Sequence, residues 1–398
     1  MKKLICLIVA SIAMCSLSSG AFALNSGYYK KLEGQKITLN VYNWGEYISD
    51  GSDDSLDVLK GFEDLTGITV HYTTFASNEE MYAKIKSGGA QYDILIPSDY
   101  MIARMVNEDM LETLDFANIP NLANIDDVYK HAQYDEGDRH SVPYMWGMVG
   151  LIYNKTMMDE APDSWNALWD ERFMGSILMF SNSRDAFGIS LARLGYSLNE
   201  TNPNHIAEAA AELKKQKLLV QAYVMDEIFN KMEGGEAAIA PYYAGDAITM
   251  MSENPDLGFA IPKEGTNYFV DAMVIPMGCQ HKEAAEMFIN YMCEPEVSAA
   301  NSEYIGYSTP IAKSRELLDL TDEIRAIAYP DDEIMKNTEV FMALPDEANT
   351  LLDRYWTEIL SYNENPNEWI VPVFLIAAFV SSIVILVVRA RKKSREIY

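Results

Sequence analysis

The chain has 398 residues, 31 of them basic and 59 acidic, and a formal net charge of −28. That excess of carboxylates repels polyanions and draws cations, which excludes a nucleic-acid partner. No G-x-S-x-G elbow, Walker loop, H-E-x-x-H pair or dinucleotide fingerprint occurs, and the five histidines are scattered, so neither an enzyme nor a cofactor or metal is implied.

In chain order, Lys2-Lys3, an apolar run from Leu4 to Met14 and the closing Ala21-Phe22-Ala23 read as a secretory signal peptide, residues 1–23. Met14 makes Cys15 a poor lipidation site. At the opposite end, residues 370–388 carry no charge and are long enough to form a transmembrane helix. The basic residues of the 389–398 tail then place that tail in the cytoplasm and residues 24–369 outside the cell membrane. Setting aside the leader (+2) and the tail (+4) takes the exported part to about −34. Cys279 and Cys293 bracket a predicted helix from His281 to Met292. Such a helix separates them by ~18 Å, too far for a disulfide, so both are read as buried thiols.

The exported part is too long for one ordinary core, which predicts two lobes. Alternating strand-like and helix-like segments predict an α/β fold. Ile37, Leu39 and Val41 alternate as a strand, ending in Tyr42-Asn43-Trp44-Gly45-Glu46-Tyr47. A helix over 55–65, a strand over 68–72, a helix capped by Ser77 and a buried strand over 92–97 follow. Ser98-Asp99-Tyr100 then opens the next helix. A long strand through Val149–Tyr153 crosses between lobes, and Ser176–Phe180 is a strand ending at Ser181-Asn182-Ser183-Arg184-Asp185. Helices are predicted near 205–214 and 226–232, with a strand over 237–240 leading into Pro241-Tyr242-Tyr243. The run Tyr268 to Pro276 is an apolar strand interrupted by Asp271, an acid that is costly to bury without a partner. The remainder to about Asn363 is helical.

Acids and aromatics therefore gather at strand ends, where open α/β sheets bind ligands. The candidate binding residues are Trp44, Glu46, Tyr47, Ser98, Tyr100, Asp185, Tyr243, Phe269 and Asp271. Carboxylates beside aromatic faces suit an organic cation.

Tyr42–Tyr47, Ser77–Lys84 and Tyr92–Ser98 resemble the spermidine/putrescine-binding proteins of ABC transporters. The likeness continues through Pro143–Gly147, Leu194–Ser197, Pro262–Gly265 and Ile305–Pro310, and spans about residues 37–360. It implies a bilobal periplasmic-binding-protein-like fold of type II with two crossovers, closing on a polyamine. The implied lobes are 35–143 with 270–308, and 144–269 with 309–363. It also implies that the nine candidates line the cleft, and that the partners are a polyamine ligand and the permease subunits; the receptor is expected to be a monomer, membrane-anchored by the 370–388 run. The chain departs from the family pattern at Asn182, where spermidine binders often carry Asp, at Tyr243 and Phe269, where they often carry Trp, and at Phe341, which replaces an amide. Two other readings share the same composition. One is ferric iron held by Tyr242-Tyr243, and the other is a membrane-tethered sensory ectodomain, against which the short cytoplasmic tail argues.

Overall fold

The computed structural model describes residues 26–89 and 91–362. The predicted leader (1–23), membrane span (370–388) and basic tail (389–398) lie outside those residues. Among the described residues no helix is long and apolar enough to cross a membrane.

Among the described residues, mixed α/β structure is organised on ten strands. β1 (Thr38–Trp44) runs parallel to β2 (Thr69–Phe75) on one side and β3 (Ile94–Leu95) on the other. The helices between them, α1 (Val58–Thr66) and α2 (Asn78–Lys86), carry the local signals that their positions require. Asp57 caps α1 by accepting from the Lys60 amide, and Gly67 ends it in the left-handed region at φ 75. Ser77 caps α2 by accepting from the Glu80 amide. The third helix, α3 (Asp99–Asn107), starts two residues after the buried Ile96-Pro97 step.

Two long strands hold the molecule together. β4 (Ser141–Asn154) pairs antiparallel with β9 (Thr266–Val274) from Ser141↔Val274 to Met148↔Tyr268. Its register shifts between Pro143 and Met145, where proline has no N–H to offer the ladder. Past Met148, β4 leaves β9 and pairs with β7 (Ile239–Tyr243) and β8 (Leu257–Ala260). β5 (Ile177–Phe180) joins β7 and β6 (Val220–Val224) in parallel. The strand order β2-β1-β3-β9-β4-β7-β5-β6 thus has two parallel groups linked by one antiparallel pair. All but one residue of β4 is buried, as a strand covered on both faces must be.

On the second group lie α4 (Ser183–Leu194), α5 (Pro203–Lys217), α6 (Glu227–Glu233) and α7 (Ala244–Glu253). On the first lie α8 (Lys282–Met292) and α9 (Pro295–Ile305), while α10 (Asp346–Ser361) packs on α5. Both cysteines are free. Cys293 is buried as expected, but Cys279 is only half-buried, its thiol donating to Asp93 Oδ1 at 3.3 Å. Between β4 and β5, Trp165–Trp169 forms a short 3₁₀ helix capped by Ser164.

Candidate ligand cleft

Four strands deliver their carboxyl ends to one crevice. β1 ends at Trp44, β3 leads to Ser98 and Tyr100, β5 leads to Asn182 and Asp185, and β7 ends at Tyr243. β9 adds Phe269 and Asp271, two residues apart and so on one face of the strand.

Asp271 is buried, 4 % exposed. Its Oδ2 accepts from the Tyr47 hydroxyl at 2.7 Å, while its Oδ1 is buried with no partner. Burial pushes its carboxyl up to about 6, with the Ser98 and then the Tyr47 hydroxyl working against that and Asp185 adding to it. Asp185, 9 % exposed, sits in the first turn of α4, where Asn182 caps the helix by accepting from the Asp185 amide at 2.9 Å. The helix N-terminus favours an anion there. Burial still raises Asp185 to about 6, and the Tyr243 hydroxyl donates to its Oδ2 at 2.9 Å. Each deep acid therefore carries one tyrosine hydroxyl.

Between these acids the wall is aromatic. Tyr243 meets Phe269 edge-on at 5.4 Å, Phe269 meets Tyr307 at 6.3 Å, and Tyr307 meets Tyr47 at 4.6 Å. Trp44 tilts against Phe75 at 4.7 Å, its indole N–H buried without an acceptor. Tyr100 donates to Glu79 Oε1 at 2.9 Å and accepts from Asn78 at 3.1 Å, and Asn78 also accepts from the Ser98 amide.

Of the nine candidates, eight line the crevice. Glu46 does not: it is exposed, in the left-handed region at φ 47, on the loop between Gly45 and Tyr47. Several lining residues escaped sequence reasoning. Asp246 and Tyr307 form a third acid–phenol pair at 3.0 Å, with burial holding Asp246 well above the usual carboxylate range. The Y-Y-A-G-D run after β7 held the signal for Asp246. Asp99 is fully buried and pushed up to about 8 by burial, but it serves the fold by accepting from the amides of Tyr100 and Val270.

Glu79, Asp99, Asp185, Asp226, Asp246 and Asp271 line the crevice, and none of the described lining residues is Lys, Arg or His. Such a site prefers a cation. The two phenols at 242–243 are not free for iron. Tyr242 is 1 % exposed and packed against Phe180, while Tyr243 is engaged with Asp185.

Residues 91–338 match the family model described as "Bacterial extracellular solute-binding protein". The chain belongs to that family. The solute-binding protein is 35% identical over 326 residues to the spermidine/putrescine-binding periplasmic protein of Escherichia coli strain K12, covering 81% of this chain and 91% of the relative. A putrescine-binding periplasmic protein of Pseudomonas aeruginosa is 28% identical over 342 residues, covering 81% and 92%. Among solved structures, the substrate-binding protein of a spermidine/putrescine ABC transporter from Streptococcus pneumoniae, in complex with calcium and HEPES, superposes with TM-score 0.69 at 39% identity. That match covers 81% of this chain and 98% of the other.

Proposed function

We propose that this chain is the extracellular receptor of an ABC importer, capturing polyamines (putrescine or spermidine) in the crevice and presenting them to permease subunits. The observation that carries this reading is a crevice lined by six acidic side chains and, among the described residues, by no basic one, with phenol and phenyl rings between Asp271 and Asp185. Ammonium groups would pair with Asp271 and Asp185, and the methylenes between them would lie on Tyr243 and Phe269. The unpartnered Asp271 Oδ1 is the open acceptor that such a ligand needs. A charge-assisted hydrogen bond contributes about 1.5–3 kcal/mol and a cation–π contact about 0.5–2 kcal/mol. Two of the first and one or two of the second sum to about 3.5–10 kcal/mol before the cost of association.

On this reading the two strand groups are lobes, 35–143 with 270–308 and 144–269 with 309–363, closing about β4 and β9. In support, Asp226 of the second group lies against Gly45 of the first, so closely that a Cβ on Gly45 would be 2.5 Å from its carboxylate. The charge-free run 370–388 and the basic tail after it support a single-pass tether with the receptor outside. Calorimetric titration of the purified protein with putrescine, spermidine and ferric citrate tests the assignment. Heat with the amines alone is expected. Binding of ferric citrate with no response to any amine would sink it.

A further inference from the structure

Tyr47 delivers its hydroxyl to Asp271 from a loop that needs holding. Glu46, the residue before it, has left-handed backbone at φ 47. A residue with a Cβ adopts that conformation rarely and keeps it only where its surroundings enforce it.

The enforcement comes from behind the crevice wall. The Tyr47 carbonyl accepts two side-chain hydrogen bonds, from the Tyr144 hydroxyl at 2.8 Å and from Asn43 Nδ2 at 3.1 Å. Asn301, on α9, donates in turn from Nδ2 to the Tyr144 hydroxyl. Its Oδ1 accepts from the Ser49 amide at 2.7 Å, two residues past Tyr47. The rings of Tyr47 and Tyr144 meet edge-on at 5.4 Å. Tyr47, Tyr144, Asn43 and Asn301 are all buried, where hydrogen bonds are electrostatically stronger than in water. Neither Tyr144 nor Asn301 lines the crevice.

The sequence of β4 explains why Tyr144 points at this loop. β4 pairs with β9 at Pro143↔Ala272 and again at Met145↔Asp271, which leaves Tyr144 unpaired, as the extra residue of a bulge. A bulge turns a side chain out of the regular alternation of the strand. The same irregularity sets Asp271 opposite Met145, the next residue along. One feature of β4 therefore places both the acid and the brace of the hydroxyl that serves it.

We propose that Tyr144 is a positioning residue for ligand capture: backed by Asn301, it grips the Tyr47 carbonyl and so keeps the Tyr47 hydroxyl on Asp271. The inference rests on the polyamine reading above, in which Asp271 must be ionised to meet an ammonium group. The Tyr47 hydroxyl favours that ionised form. The other ionisable groups around Asp271 are Asp99, Asp185 and Asp246 and the phenols of Tyr134 and Tyr144, none of which supplies a positive charge in its place.

The test is calorimetric titration with putrescine of the wild type, Tyr144→Phe, Tyr47→Phe and the double variant between about pH 5 and pH 8, with melting temperatures recorded alongside. Tyr144→Phe keeps the ring and removes only the grip. It should weaken putrescine about fivefold at pH 7.5, the worth of one neutral hydrogen bond. It should also move the pH at which affinity falls upward, as Tyr47→Phe does. In the Tyr47→Phe background, Tyr144→Phe should add little, because the hydroxyl it positions is already gone. Asn301→Ser, which withdraws the support behind Tyr144, should act in the same direction and carries the test if Tyr144→Phe does not fold. A lower melting temperature with affinity and pH midpoint unchanged overturns the proposal, since a side chain that only supports the fold gives that result. So do effects of the two tyrosine substitutions that simply multiply. A wild type that binds no putrescine overturns the polyamine reading itself, which separates the two ideas.

Discussion

Asp271 shows what a binding site costs a fold. In the unfolded chain its carboxyl titrates near 3.8, and in the folded, ligand-free protein burial lifts it to about 6. The folded state therefore holds the proton more tightly, and stability from this group is present at low pH and is lost as pH rises from about 4 to 6. The displacement corresponds to about 3 kcal/mol once the group is ionised. Asp271→Asn removes that cost while keeping the shape. The ligand-free variant should melt about 2–5 °C above the wild type at pH 7.5 and level with it near pH 4, by calorimetry at both pH values. The same variant should bind putrescine at least tenfold more weakly, because the neutral amide no longer pairs with an ammonium. An unaltered affinity would remove Asp271 from the site. Asp185 is raised by burial to the same region, so amine affinity of the wild type should fall at least tenfold between pH 7.5 and 5, with proton release on binding growing over that range. Repeating the titration in buffers of different ionisation enthalpy measures that release. Tyr243→Phe should carry the midpoint of this profile upward, since the hydroxyl that lowers Asp185 is gone.

At the scale of elements, the site depends on close approaches between backbone and ring. Gly245, in the first turn of α7, faces the Tyr307 ring so closely that an added Cβ would lie 2.2 Å from it. Gly306, at φ 77 after α9, meets the Gly245 carbonyl in the same way. Gly245→Ala should lower stability by about 1–3 kcal/mol through overpacking. It should also weaken amine binding, because Tyr307 braces both Asp246 and the Phe269 wall; melting and titration of one sample check both effects. These contacts were not legible in the sequence. The strands were: Ile37-Leu39-Val41 alternates and β1 forms there, and the apolar run around Asp271 forms β9. Pattern failed where tertiary pairing replaced it. The predicted strand over 92–97 is a regular ladder only at Ile94–Leu95, with single backbone bonds on either side: the Asp93 and Ile96 amides donate to the Asn40 and Tyr42 carbonyls of β1, and the Ala272 amide of β9 donates to the Pro97 carbonyl.

For the whole molecule, charge acts at long range. A protein of net charge −28 whose crevice is acidic should draw amines by diffusion in its field. The association rate constant for putrescine in stopped flow is expected to fall several-fold as salt rises from about 20 to 200 mM, as screening shortens that field. A salt-independent rate would show that the field plays no part. The sequence by itself determined the cation preference, the α/β class and eight of the lining residues, since composition, period and strand-end position are local properties. Only the tertiary structure decided that Glu46 stands outside the crevice and that Asp246 and Tyr307 complete it. Those facts depend on which residues distant in sequence meet when β4 and β9 carry the chain from one strand group to the other. Side-chain direction on such a crossing is fixed by packing, and no local pattern encodes it.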